Sequence, residues 1–439
     1  MDLAHRIETA LGKKPVDLVL RNGQLVNVFS GEIHPASVAI HEGRVVGFGD
    51  YDALQTVDLE GRYITPGFID GHLHIESSML SIPEFARQVV PLGTTSVVAD
   101  PHEIANVLGL DGIRFMLQTS ERGPLRVFLM FPSCVPATPF ESSGATLTAR
   151  DMEAFKDNNR ILGLAEMMNF PGVLFEDPEI LAKIDVFRDK VLDGHAPGLS
   201  GKDLNAYVSA GIGSDHECTV LEEAREKLRA GMRIMIRQGS AAQNLDTLLP
   251  LVNEYNARNC FFVTDDLDPR DILEKGHINN SVRMAIAKGL DPVRAIQMVS
   301  LNTATYFRLK GLGAVLPGYE ADILVLDDLE QVRVSQVYHA GRLVAKDGSL
   351  VDHAEHREAV PVPPSVNVDW DKVGDLSMPA RGDSVRIIGV VPGQIVTREI
   401  TDKASVLDGK VVSDPARDIL KIAVIERHKG TGSYAVGLI

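Results

Sequence analysis

The sequence predicts an α/β protein: a (β/α)8, TIM-like barrel, a small β-sandwich built from segments before and after it, and a partial C-terminal β-containing domain. Three observations carry this prediction. Apolar strand-like runs alternate with helical stretches eight times, and eight strand–helix units over roughly 240 residues make such a barrel. Two sets of short strands, one near the N-terminus and one past residue 320, bracket that region. Histidines and carboxylates recur where the runs end, which is the end at which barrels keep their active sites.

The chain is expected to divide into 1–62 (first part of the sandwich), 63–310 (barrel), 311–360 (second part of the sandwich) and 361–439 (C-terminal domain). In the first part, Asp17-Leu-Val-Leu, Gln24-Leu-Val-Asn-Val, Ser37-Val-Ala-Ile and Arg44-Val-Val-Gly-Phe are separated by Asn-Gly, Ser-Gly and Glu-Gly, which read as turns. Such a small sheet cannot bury both of its faces alone. Its complement is Ala321-Asp-Ile-Leu-Val-Leu, Val332-Arg-Val-Ser-Gln-Val-Tyr-His and Arg342-Leu-Val-Ala. The eight barrel runs end near His74, Asp100, Pro132, Met167, His195, Ser214, Arg237 and Asp265. One connecting helix has a capping-box pattern at Thr219-Val-Leu-Glu222, a C-terminal stop at Gly231 and a Glu223–Lys227 pair, and reads as a surface helix. Asp352 to Pro364 is charged and then proline-rich, as a linker would be. Beyond it, Ser384-Val-Arg-Ile-Ile-Gly-Val-Val and Gly409-Lys-Val-Val are strand-like.

Composition narrows the function classes. The chain has 439 residues, 44% hydrophobic and 24% charged, typical of a soluble globular protein. Its net charge of -16 disfavours a nucleic-acid partner, which needs a basic surface. Cys134, Cys218 and Cys260 are too few and scattered for a disulfide scaffold, so a reducing, cytoplasmic setting is the simpler expectation. The first residues lack the apolar core of a signal peptide, and no apolar stretch reaches membrane-spanning length.

The chemistry is concentrated at the strand ends. In Ile64-Thr-Pro-Gly-Phe-Ile-Asp-Gly-His-Leu-His-Ile-Glu76, His72 and His74 stand two apart, so on a strand both imidazoles face one side. A His-x-His pair also occurs on ordinary strand faces; its weight comes from what recurs elsewhere. Glu166 interrupts the apolar run Ile161-Leu-Gly-Leu-Ala-Glu-Met-Met, and a buried carboxylate needs a partner or a metal. His195, His216 and Asp265 close the fifth, sixth and eighth runs. Six such side chains exceed the need of one tetrahedral zinc ion. Two divalent ions bridged by Glu166 would use them all and would ionise water near neutral pH. Asp265 is then the natural proton carrier, making Glu166 and Asp265 the catalytic candidates. His102, Glu103 and Asp266 sit in strand-end loops and are read as substrate contacts, while Cys218 reads as a small buried residue. Walker A, Gly-x-Ser-x-Gly and Cys-x-x-Cys patterns are missing, as is the His-x-Glu…Pro-Cys-x-x-Cys signature of zinc cytidine-type deaminases.

Taken together, Pro66-Gly-Phe-Ile-Asp-Gly-His-Leu-His74 and Gly318-Tyr-Glu-Ala-Asp322 resemble the amidohydrolase superfamily. Within it the chain resembles the bacterial adenine deaminases, through His74-Ile-Glu-Ser-Ser78, Asp100-Pro-His-Glu103, Pro132-Ser-Cys-Val-Pro136, Ala165-Glu-Met-Met-Asn169, Gly194-His-Ala-Pro-Gly-Leu199, Asp203-Leu-Asn205, Ser214-Asp-His-Glu217 and Thr264-Asp-Asp266. The likeness runs from about Asp17 to Val351. It implies hydrolytic deamination of adenine to hypoxanthine and ammonia in purine salvage, by a metal hydroxide attacking C6. It also implies manganese or iron (zinc as a further option) on His72, His74, Glu166, His195, His216 and Asp265, with Glu166 where many relatives carry a carboxylated lysine, and a homo-oligomer. Two departures stand out. Leu267-Asp-Pro269 replaces the family's usual Arg-His-Pro after the Asp-Asp pair, and family members continue past the point matching Ile439, which makes the C-terminal domain read as truncated. Two alternatives share the ligand set: an amidohydrolase opening a cyclic amide of a purine or pyrimidine catabolite, and a metal-binding paralogue with impaired turnover.

Overall fold

The computed structural model describes residues 3–138, 140–351 and 361–439. A helix, Leu3–Ala10, leads into β1 (Val16–Asn27), β2 (Glu32–His41), β3 (Arg44–Phe48), β4 (Ala53–Asp58) and β5 (Tyr63–Pro66). The barrel strands follow as β6 (Phe68–Leu73), β7 (Thr94–Ala99), β8 (Arg126–Phe131), β9 (Ile161–Met167), β10 (Val191–Gly194), β11 (Ser214–Asp215), β12 (Arg233–Arg237) and β13 (Cys260–Val263). After four further helices the chain returns as β14 (Ile323–Asp328), β15 (Arg333–His339), β16 (Arg342–Lys346) and β17 (Ser349–Leu350).

The flanking strands form one nine-stranded sheet, because β14 pairs antiparallel with β5 (Ile323 opposite Pro66, Val325 opposite Ile64). Leu18, Leu20, Val38, Ile40, Val45, Ile64, Ile323, Val325 and Tyr338 meet in one apolar cluster, so residues about 300 positions apart in sequence share a core. The Asn22-Gly23 pair does not make the turn its composition suggests. It lies inside β1, where the register with β2 slips between Leu20 and Gly23 and Asn22 takes a φ of 57°. Asparagine tolerates that left-handed conformation better than most residues, so the strand bends without ending.

In the barrel, β6 to β10 pair in parallel sequence order, as do β11 to β13. The two arcs meet through a parallel bridge between Leu73 and Asp265 on one side and the Gly213 N–H to Leu192 C=O bond (2.9 Å) on the other. Alternation follows from the pleat. Ile69, Val98, Met130, Ala165, Val191, Met235, Phe261 and Val263 fill the interior, while Phe68, Val97, Leu129, Leu164, Ile236 and Phe262 face the helices. Gly71 lets β6 pass close to the interior: a Cβ there would lie 2.7 Å from the Phe261 ring.

The helix expected at Thr219 runs from Leu221 to Arg229, with Val220 rather than Thr219 at its N-cap and no side-chain cap. It is not a plain surface helix either. Lys227 is fully buried and bonds to Asp215, to Glu223 (2.6 Å) and to the Ala196 C=O (2.6 Å). Most of the linker reading, residues 352–360, lies outside the described residues. From residue 361 on, the chain forms short antiparallel pairs: β18 (Met378–Pro379), β19 (Ser384–Val390), β20 (Thr397–Lys403), β21 (Val406–Leu407), β22 (Lys410–Val411), β23 (Lys421–Ile425) and β24 (Tyr434–Leu438). No described helix is long and apolar enough to cross a membrane.

Candidate metal centre

At the C-terminal ends of the barrel strands, polar side chains turn inward above the apolar interior. His72 is on β6 and His74 just past its end, both buried, with ring centroids 5.1 Å apart. Asp265 follows β13 and takes a φ of 59°, a strained conformation for an aspartate. It is held there by its N–H to the His72 C=O (2.9 Å) and its C=O to the His74 N–H (3.3 Å). One carboxylate oxygen, Oδ1, then lies 3.6 Å from His72 Nε2 and 3.1 Å from His74 Nε2.

Glu166, on β9 and 2% exposed, is the hub. Its Oε1 stands 3.4 Å from His74 Nε2 and 3.2 Å from His102 Nδ1. Its Oε2 stands 2.6 Å from His195 Nδ1 and 3.2 Å from His216 Nε2. The structure therefore brings His72, His74, Glu166, His195, His216 and Asp265 to one place, and adds His102. That histidine opens the helix His102–Leu108 and is tied to Asp100 (3.0 Å). Glu103 is 3.6 Å from His74 Nδ1, and the exposed Asp266 accepts a bond from Ser77 Oγ. Leu267 and Asp268, in the loop that departs from the family pattern, have a local task. Leu267 is buried, and Asp268 caps the helix Pro269–Lys275 by accepting from the Asp271 N–H. Cys218 is buried, as expected of a small core residue.

The electrostatics follow from packing so many groups together. Burial alone would push Glu166 towards neutrality, but bonds from His102 and His195 hold it well below the usual carboxylate range. Asp265 behaves likewise: burial opposes ionisation, and contact with His72 and His74 overrides it. His195 would be depressed by burial, yet the Glu166 carboxylate holds it at about 8.

The donors fit divalent metal ions. Three sets, His74/Asp100/His102/Glu166, His72/His216/Asp265 and Glu166/His195/His216, each place their ligand atoms within 4.8 Å of one another. His72 Nε2, at 3.6 Å from Asp265, is too far for a hydrogen bond and is buried without a hydrogen-bond partner among the described residues. Stranding a ring nitrogen in this way costs free energy unless a cation takes the lone pair. The other nitrogen of His74 meets the Asp100 C=O at 2.9 Å, the outer contact that orients a metal-binding imidazole.

The sequence reading missed the partners of several groups. Arg237 ends β12 fully buried, its guanidinium paired with both oxygens of Glu217 (Nη2 to Oε2, 3.1 Å) and with Asp265 Oδ2. Glu217, next to His216, points its Oε1 at His216 Nε2 (3.4 Å). Asp70 bonds Thr264 Oγ1 (2.6 Å) and faces His277 Nε2 at 3.4 Å, so His277 joins Asp70 and Thr94 rather than Glu166. The available signal was a charge inside an apolar run, Arg-Ile-Met-Ile-Arg237 and Gly-Phe-Ile-Asp70-Gly, the same cue that singled out Glu166.

The amidohydrolase family model matches residues 63–344, and the adenine deaminase C-terminal domain model matches 394–439. An adenine deaminase of Desulfatibacillum aliphaticivorans is 52% identical over 435 residues, covering 99% of this chain and 76% of that protein. Adenine deaminase 2 of Carboxydothermus hydrogenoformans is 48% identical, again over 99% and 76%. The chain thus spans about three-quarters of the length of these relatives. A solved adenine deaminase superposes with a TM-score of 0.53 at 18% identity, over 75% of this chain and 99% of that one. A D-hydantoinase superposes with a TM-score of 0.56 at 16% identity, over 76% and 96%; at such identities these structures speak for the fold alone. Family membership implies the use of divalent metal. The chain belongs to the amidohydrolase family and, within it, to the adenine deaminases.

Proposed function

We propose that this chain hydrolyses adenine to hypoxanthine and ammonia, a purine-salvage step. The observation that carries the reading is its identity of about half with curated adenine deaminases over essentially the whole chain. In this reading His72, His74, Glu166, His195, His216 and Asp265 hold two divalent ions. Glu166 would be the ligand that both ions share, since each of its oxygens faces a different pair of ring nitrogens. Bound divalent ions there supply a water ionised near neutral pH and positive charge for the transition state. Mixed imidazole and carboxylate donors suit manganese or iron, with zinc also accommodated.

The chain's own residues do the rest. Asp265 stays ionised despite burial, so it takes a proton from the attacking water and delivers it to the departing amine. Its Oδ2 is paired with Arg237, which fixes the orientation of the carboxylate. His102 and Glu103, on the first turn of the helix after β7, and Asp266, in the loop after β13, border the purine. The same reading places the protein in the cytoplasm, where its three buried free cysteines stay reduced, and, from the family resemblance, in a homo-oligomer.

The test couples metal analysis to adenine-dependent ammonia release, for the parent and Glu166→Gln. The parent is expected to bind two ions and to prefer adenine over a panel of cyclic amides by at least about tenfold in kcat/KM. A tenfold preference for the amides, or two bound ions with no ammonia under any metal loading, would overturn the deaminase reading. A Glu166→Gln variant with two ions and parental rate would overturn the bridging role.

A further inference from the structure

The segment after residue 361 is outside the barrel, yet one of its turns touches the hairpin that leaves β12 beside the metal centre. That hairpin is tight: Gln238 bridges Gln243, and the Gly239 N–H bonds the Ala242 C=O at 2.9 Å. On its inner side it is sewn to the segment that follows Asp265. The Ser240 N–H bonds the Asp266 C=O (2.8 Å), and Ser240 Oγ accepts from the Asp268 N–H (2.9 Å) and donates to Asp271 (2.8 Å). The approach is so close that a Cβ on Gly239 would lie 2.5 Å from the Thr264 C=O oxygen and 2.6 Å from that of Asp266.

On its outer side the hairpin is held from the C-terminal segment. The Gln243 N–H bonds the Gly393 C=O (2.9 Å), and Asn244 Nδ2 donates to Gln394 Oε1 (3.1 Å). Asn244 is fully buried, and its N–H bonds the C=O of Arg237 at 3.0 Å. The turn offering these two acceptors closes by the Gln394 N–H to Val391 C=O bond (3.1 Å), with Gly393 at a φ of 71°. A continuous chain of contacts thus runs from Gln394 through Asn244 to Arg237, and from the Arg237 guanidinium to Asp265 and Glu217.

We propose that the turn Val391–Gln394 is a positioning element of the metal centre: by clamping residues 238–244 it fixes Arg237, and through Arg237 the orientation of Asp265. Gln394 acts through other residues and touches no reacting atom. The physical reason is leverage. A short hairpin anchored on both sides loses its single geometry when one anchor goes. Displacements of about an ångström in a catalytic group are enough to slow a reaction strongly.

The inference rests on the deaminase reading for its catalytic part, and Gln394→Ala tests it in the full chain loaded with manganese. Expected are faster amide deuterium exchange in 238–244 and a fall in kcat of roughly three- to tenfold, the value of one hydrogen bond. KM and the count of bound metal should stay parental. Gln394→Glu keeps an acceptor oxygen at the same reach and should restore both exchange and kcat. Parental exchange, or parental kcat in an active Gln394→Ala protein, overturns the positioning role. A parent without adenine turnover overturns the functional reading instead, so the two failures are distinguishable.

Discussion

Two buried clusters, which meet at Asp70 and His72 on β6 and at Thr264 and Asp265 after β13, treat charge in opposite ways. Around Glu166 several imidazoles crowd together, and the Glu166 and Asp265 carboxylates stay ionised although almost no water reaches them. Beneath them, Asp70 and His277 are equally buried, but burial pushes Asp70 up to about 7 and His277 down to about 3. At pH 7 His277 is therefore neutral and Asp70 titrates. The difference is the number of partners. Glu166 has four ring nitrogens within 3.4 Å, whereas Asp70 has a hydroxyl, two long contacts from backbone N–H groups at 3.3 Å and one distant imidazole. A charge survives in a protein interior only where enough opposite charge or donors surround it. The upper cluster is thereby suited to hold cations and the lower one to hold strands.

The largest effect should come from breaking the upper cluster. Glu166→Gln removes the charge shared by both ligand sets and is expected to reduce adenine turnover to background, with metal content below two per chain. Next comes another buried ion pair, Lys227 with Asp215. Lys227→Met leaves Asp215 without its partner, and breaking such a pair costs about 3–5 kcal/mol, readable in urea unfolding of the apo chain. Because Asp215 Oδ1 also accepts the Glu217 N–H (2.6 Å), kcat should fall as well.

The lower cluster should respond more gently and through pH. His277 has a depressed folded value, so below its unfolded value of about 6.5 the unfolded chain binds a proton that the folded chain refuses. Stability is then fully present above about pH 6.5 and declines as pH falls towards 3, by up to about 1.4 kcal/mol per pH unit. His277→Gln should flatten that slope in chemical unfolding between pH 6.5 and 5; an unchanged slope would mean that His277 is not neutral in the fold. The smallest effect is expected of Asp70→Asn. Replacing a carboxyl that is half-protonated near neutrality by a neutral amide should cost about 1 kcal/mol or less, with metal binding retained. If Asp70→Asn were as damaging as Glu166→Gln, the contrast between the clusters would collapse.

Much of this was legible in the sequence, for a definite reason. A barrel strand writes its own end in apolar residues followed by a polar one, so His72, His74, His195, His216 and Asp265 stood out, as did Glu166 within Ile161-Leu-Gly-Leu-Ala-Glu-Met-Met. What stayed hidden were partners. Lys227 sits at helical spacing from Glu223 and reads as a solvent-facing pair until Asp215 closes over it. Arg237 reads as the polar end of a strand, and nothing local tells that it divides its charge between Glu217 and Asp265. Asn22-Gly23 carries a turn signal that pairing with β2 overrode, since sheet hydrogen bonds on both sides outweigh a local turn preference.

The sequence by itself determined the alternation of strands and helices, the ends at which reactive side chains emerge, and the kinship with adenine deaminases. These are properties of pattern, read over a few residues or along the whole chain. Only the tertiary structure decided which buried charges are compensated and which are neutralised, and that a turn at Gly393 reaches the hairpin behind Arg237. Those outcomes depend on distances of a few ångströms between residues up to about 200 positions apart in sequence. Coulomb energy and desolvation vary steeply over such distances, and no local pattern encodes them.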